Sequence, residues 1–317
     1  MRDPLWPDEV HEGHKLPSGS RLARYAPFID DWERFCAAAS RPMVPALRAN
    51  TLRCPPERLW RALEDQGFAL EPVAWANGLF CCRQTGLART MEHWAGWFYL
   101  QELTQTLPVH ALDPQPGESI VDLCASPGGK TCHIAARTGD HGLLVANEPA
   151  GRRHPPLLAN LNRLGILSAL VTAYRGESFP LRERFDRVLV DAPCSGEGTL
   201  RKEPAVRMGA SPSTVRRLAA LQRRLIVRGY DLLRPGGVLV YSTCTLAPEE
   251  NEAAVAHLLR ERDAVVEPVA WPVDGAPGLL EWGGESFPEG VARCRRFYPH
   301  HFDSGGGFVA RVRRPGG

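Results

Sequence analysis

The chain of 317 residues carries a formal net charge of +2, with 44% hydrophobic and 23% charged residues. This is ordinary globular usage; it excludes a disordered or fibrous protein, and the length predicts two domains. No apolar run reaches the roughly 18–20 residues that cross a bilayer, and Met1–His14 is acidic and prolyl rather than basic then apolar, so a cytoplasmic protein without a membrane partner is expected.

Helical patterns at Phe28–Ala39 and Pro56–Gln66 flank an expected strand at Ala46–Leu52, with another near Ala69–Trp75, which together read as a small α+β module. A helix around His93–Leu107 is expected to join this module to the rest, with Trp94, Trp97, Phe98 and Tyr99 as core residues. Proline and glycine punctuate Pro108–Gly117 like a linker, giving domains over 1–107 and 108–317. Beyond it, apolar strands are expected at Ser119–Cys124, Leu143–Asn147, Leu167–Thr172, Arg187–Asp191 and Val238–Ser242. They alternate with helices at Lys130–Arg137, Leu157–Leu164, Thr214–Leu233 and Glu249–Arg262. Such alternation implies an α/β, Rossmann-like parallel sheet covered on both faces, with ligands outside the carboxyl ends of the strands.

Three segments at those strand ends carry chemistry. The run Cys124-Ala125-Ser126-Pro127-Gly128-Gly129-Lys130 joins a strand to a helix, so small residues let backbone N–H groups approach a ligand. It is neither a P-loop nor a G-x-G-x-x-G dinucleotide turn. Glu148 ends the next strand, where an acid accepts from ribose hydroxyls. A glycine turn and a ribose acid without a phosphate cradle suit a nucleoside cofactor such as S-adenosylmethionine. Asp191-Ala-Pro-Cys194 and Ser242-Thr-Cys244 follow two consecutive strands. If those strands are neighbours, about 5 Å apart, both thiols reach one substrate.

Two thiols and an aspartate match methylation at cytosine C5. A thiolate adds at C6 while an acid holds N3, C5 becomes nucleophilic, and a base then removes the C5 proton. On chemistry alone either cysteine can attack. The nine cysteines are odd in number and include no C-x-x-C pair, which argues against a disulfide framework and structural zinc. The mechanism itself needs no metal. Only Lys15, Lys130 and Lys202 are lysines among 38 basic side chains; coding-DNA composition is the main expected cause of the arginine excess, which permits RNA binding without indicating it.

From about Leu47 to Arg313 the sequence resembles the Sun/Fmu family of RNA cytosine-C5 methyltransferases. The likeness rests on "LRANTLR", "YLQE", "DLCASPGGKT", "DAPCSGEGTLRKEP", "YSTCTLAPEENE" and "FYPHHFDSGGGFVARVRR". Within the family it is most similar to the F-type bacterial enzymes acting on 16S ribosomal RNA, through "EHWAGWFYLQE", "ANEPAGRR" and "SGEGTLRKEP". The resemblance implies that Cys244 attacks C6, that Cys194 assists proton removal and release, that Asp191 holds the base and borders the cofactor, and that Lys130 lines the site. Residues 124–130, with Glu148 and Arg153, would hold S-adenosylmethionine.

Two departures stand out. Arg175 occupies a position where many relatives carry an acid near the adenine. The chain also stops at Gly317, without the C-terminal RNA-binding extension of larger F-type enzymes, so RNA selection is expected to rest on the two domains present or on a shaped ribosomal substrate. The expected partner is 16S ribosomal RNA or the small subunit, with transfer RNA as the alternative and a non-catalytic ribosome-assembly factor as a reading from another class. His300 and His301 read as an exposed turn. Arg216, Arg217, Arg223 and Arg224 read as a solvated helix face, with phosphate contact as the alternative.

Overall fold

A computed structural model describes residues 16–182 and 184–316; Met1–His14, on which the absence of a leader was argued, lies outside them. The N-terminal part comprises α1 (Trp32–Ser40), β1 (Ala46–Ala49), α2 (Pro56–Glu64), β2 (Leu70–Pro72), β3 (Leu79–Cys82), α3 (Met91–Trp94) and β4 (Phe98–Leu100). Its antiparallel sheet has the order β2-β3-β1-β4. Leu59 and Leu63 of α2 pack on Leu47, Phe80 and Phe98 from that sheet, so an α+β module forms as expected. Residues before it behave differently: Leu22, Tyr25 and Phe35 pack against Leu200, Leu246 and Tyr298, far along the chain.

The larger part begins with α4 (Leu107–Leu112), followed by β5 (Ser119–Asp122), α5 (Gly129–Arg137), β6 (Leu143–Asn147), α6 (His154–Leu164), β7 (Ala169–Thr172) and β8 (Phe185–Asp191). Then come α7 (Pro212–Asp231), β9 (Leu233–Thr243), α8 (Glu252–Glu261), β10 (Val265–Val266) and β11 (Ala276–Pro277). A hairpin of β12 (Glu281–Trp282) and β13 (Glu285–Ser286) precedes β14 (Arg295–Phe297), α9 (Pro299–Phe302) and β15 (Gly307–Arg313). Strands β7-β6-β5-β8-β9 are parallel; β15 pairs antiparallel with β9, and β14 antiparallel with β15. Alternate residues explain why these strands are apolar throughout. Ile120, Leu144, Leu189 and Val240 face α4, α5 and α6, while Val121, Val188, Val190 and Tyr241 face α7 and α8. The order reverses between β5 and β8, so the cleft at their carboxyl ends is the expected ligand position.

Two expected elements are corrected. The helix over His93–Leu107 stops at Trp94, because Gly96 adopts φ +72° and a Cβ there would lie 1.9 Å from the Arg163 carbonyl oxygen. The aromatic run that follows pairs with β1 as β4. The linker expected at Pro108–Gly117 begins as α4, with Pro108 in its first turn, where no N–H is required; Leu107, Val109, Ala111 and Leu112 are fully buried. Strands β14 and β15, read earlier only as a family motif, form the sheet edge beside β9. No helix among the described residues is long and apolar enough to cross a membrane.

One buried charge pair ties this edge to the helical layer. Arg296 on β14 and Glu252 on α8 are 1% and 0% exposed. The guanidinium meets both carboxylate oxygens at 2.6 and 2.5 Å and also donates to the Leu246 carbonyl. Removing one member strands the other without water. Arg296→Met is therefore expected to lower unfolding free energy by about 3–5 kcal/mol, measured by urea denaturation; an unchanged midpoint contradicts this account.

Candidate active site

The loop after β5 is shaped by two glycines. Gly128 has φ +104°, and a Cβ at Gly129 would lie 3.0 Å from the Tyr99 ring, so side chains there would close the space between the loop and β4. Asp122, 1% exposed at the end of β5, accepts from the Thr131 hydroxyl at 2.7 Å. Burial pushes its carboxyl up to about 7, with the Thr131 bond opposing the rise. Glu148, just past β6, is 1% exposed. One of its oxygens accepts from the Ala150 N–H; the other lies 3.1 Å from the Arg153 guanidinium yet is buried without an aligned hydrogen bond. Arg153 also donates to the Ser126 carbonyl at 2.7 Å, bracing the loop. A buried acceptor with unused capacity beside a glycine turn fits the ribose end of S-adenosylmethionine. Arg175 turns outward to pair with Glu177 at 2.7 Å and is 75% exposed.

A cleft of about 270 Å³ opens beside this loop, lined by Cys124, Ala125, Ser126, Pro127, Gly129 and Lys130, and also by Asp191 and Cys244. Glu148, Arg153 and Cys194 are not among its lining residues. Lys130, from the first turn of α5, is 8% exposed and donates to Asp191 at 2.8 Å. Burial alone would pull its pKa down, but the Asp191 carboxylate outweighs burial and raises it, so the ammonium is retained. The other Asp191 oxygen accepts from Ser242 at 2.8 Å. Cys194 and Cys244 bring their Sγ atoms to 3.4 Å, as neighbouring parallel strands allow. The hydrogen bond to Cys244, reinforced by burial, holds the Cys194 thiol well above the ordinary range.

The two cysteine loops are fastened together. Gly198 N–H donates to the Cys244 carbonyl, and Gly306 N–H to the Gly198 carbonyl, both at 2.8 Å. A Cβ at Gly198 would lie 2.4 Å from the Gly306 oxygen. Glu250 accepts from Ser195 N–H at 3.0 Å and Gln222 at 2.8 Å, and burial raises its carboxyl.

Several site groups escaped the sequence reading. Gln105 accepts a short hydrogen bond from Lys130, and Tyr99, Glu102, Thr199, Lys202 and Glu203 line the cleft. Of the four aromatics read as core, Phe98 is buried, Trp97 and Tyr99 are half-buried, and Trp94 is 73% exposed. The "YLQE" and "GTLRKEP" runs were the signal for the cleft residues, since both border chemistry-bearing segments. His300 and His301 are not an exposed turn: His300 is 3% exposed, and both rings reach Asp30 at 3.1–3.2 Å, because α9 is covered by the segment preceding α1. Arg216, Arg217, Arg223 and Arg224 form the solvated face expected of α7.

This constellation has recognisable relatives. Residues 109–313 match the family model "16S rRNA methyltransferase RsmB/F", and residues 23–103 match the N-terminal domain of 16S rRNA methyltransferase RsmF. The chain is 38% identical over 311 residues to a tRNA (cytosine(49)-C(5))-methyltransferase of Pyrococcus abyssi, covering 97% of this chain and 99% of that protein. It is 40% identical over 318 residues to ribosomal RNA small subunit methyltransferase F of Aliivibrio salmonicida, covering 96% of this chain and 65% of that longer protein. A crystal structure of a methyltransferase homologue from Pyrococcus horikoshii superposes with a TM-score of 0.80 at 34% identity, over 89% of this chain and 90% of that one. The chain therefore belongs to the RsmB/F family and is an S-adenosylmethionine-dependent RNA methyltransferase.

Proposed function

We propose that the protein forms 5-methylcytosine in 16S ribosomal RNA, with Cys244 as the nucleophile. The observation that carries this reading is the asymmetry of the thiol pair: Cys244 lines the cleft and Cys194 does not, its Sγ lying 3.4 Å from that of Cys244. Cys244 is thus the sulfur that a substrate in the cleft meets, with Cys194 held beside it.

The target cytidine leaves its stack and enters the cleft. Asp191 and Lys130 present an acceptor and a donor side by side to the base edge. The Cys244 thiolate bonds to C6, and the C5–C6 π electrons shift so that C5 becomes nucleophilic. Bound S-adenosylmethionine, held by residues 124–130 with Glu148 and Arg153, supplies the electrophilic methyl group. A solvent water beside Cys194 then takes the C5 proton, with Cys194 assisting; the C5–C6 double bond re-forms and Cys244 departs as thiolate. The expected outcome is that Cys244→Ala lowers turnover by about 10³-fold or more. Cys194→Ala accumulates a covalent RNA adduct on a denaturing gel with labelled S-adenosylmethionine. Adduct accumulation in Cys244→Ala instead reverses the two roles.

The ribosomal target is supported by the matches to the RsmF N-terminal domain and to the RsmB/F catalytic model. Transfer RNA is the second reading, favoured by the relative matched across 99% of its length. Competition decides between them: labelled methyl is expected to enter small-subunit RNA or assembled subunits in preference to transfer RNA. Preferential transfer to transfer RNA makes the second reading the correct one, and binding without turnover on either identifies a non-catalytic assembly factor.

A further inference from the structure

A second cleft, of about 370 Å³, lies between β1 of the N-terminal sheet and α5 of the larger domain. Arg48, Thr51, Trp75, His110, His133 and Arg137 line it, and no carboxylate does. Arg48 is 5% exposed. Its Nε donates to Gln101 at 2.8 Å, but its Nη2 is buried without a hydrogen-bond partner. Burial pushes this guanidinium down to about 10, with only the Cys132 thiol and the Tyr99 hydroxyl acting against the shift. His133 Nδ1 is likewise buried without a partner. Burial, with Arg48 and Arg137 nearby, depresses its pKa well below the usual histidine value. Arg137 is held only loosely, 3.6 Å from the half-exposed Asp113.

A buried guanidinium normally has a carboxylate beside it, since an unpaired charge away from water is costly. Here cationic and donor groups converge with no resident anion. We propose that this cleft binds a phosphate group: Arg48 and Arg137 grip its oxygens, Thr51 adds a hydroxyl donor, and the half-buried Trp75 ring offers a face to an attached base. The volume suits a nucleotide-sized ligand. The site also adjoins the chemistry. Gln101, which Arg48 holds, donates to the backbone carbonyl of Gln105, whose side chain accepts from Lys130. The phosphate comes either from the RNA strand or from a free phosphate-bearing metabolite.

Inorganic phosphate is the probe, titrated against chloride at constant ionic strength into the wild-type protein, Arg48→Gln and Arg137→Gln. Binding is followed by the Arg48 Nε–Hε resonance and by the unfolding temperature, neither of which depends on methyl transfer. The expected result is a saturable shift of the Arg48 signal in the wild type. Phosphate affinity is expected to fall about tenfold in Arg48→Gln and about threefold in Arg137→Gln. No saturable shift, or undiminished affinity in both variants, overturns the proposal. If Arg48→Gln does not fold, the wild-type resonance and Arg137→Gln decide. A cytidine trinucleotide without terminal phosphates that displaces phosphate assigns the site to the RNA strand; phosphate bound undisplaced assigns it to a free metabolite.

Discussion

Two backbone bonds fix the distance on which the chemistry turns: Gly198 N–H to the Cys244 carbonyl, and Gly306 N–H to the Gly198 carbonyl. Parallel pairing of β8 and β9 brings two loops to the same edge, but strands alone set only their bases. The loops are long enough to diverge, and it is the contact at Gly198, too tight for any side chain, that holds the thiols at 3.4 Å. The acidic run after Cys244 completes the lock. Glu250 gathers Ser195 and Gln222, while Asn251 donates to the Thr245 carbonyl. Side chains that resemble a charged surface stretch in the sequence are therefore internal ties.

Charge in the cleft is organised around Lys130. A lysine 8% exposed keeps its proton chiefly because the Asp191 carboxylate faces it; it also donates to Gln105, which lies between β4 and α4, outside the parallel-sheet motifs. The N-terminal module thus contributes to the site through the segment that follows β4. Asn50 strengthens the same junction by donating to the Gly96 and Leu164 carbonyls, and Arg163 returns bonds to the His93 and Phe98 carbonyls.

The parallel sheet was legible because its strands are buried on both faces and its helices keep a 3.6-residue period; β5 to β9 lie within a few residues of their expected places, with β9 extended at its start. The motif residues were legible because small and reactive side chains cluster at strand ends. The region from Met91 to Leu112 was not. An aromatic-rich run with helical spacing can lie along a helix or pair as a strand, and only the close approach of Gly96 to Arg163, a tertiary contact, decides between them. The same holds for Arg48, which reads as one arginine among many until its burial without a carboxylate is seen. Two histidines beside a proline look like a turn, and only the folding of the Asp30 segment over them shows otherwise.

That packing of Leu22, Tyr25 and Phe35 onto Leu200, Leu246 and Tyr298 has a consequence for biosynthesis. Leu22, Tyr25 and Phe35 find their partners only once the chain has been made as far as Tyr298, and Arg201, which binds the Arg41 and Pro42 carbonyls together with Asp303, closes the same junction. A nascent chain can complete its antiparallel sheet early, yet the cluster around Tyr25 and Phe35 closes only after Tyr298 has been made.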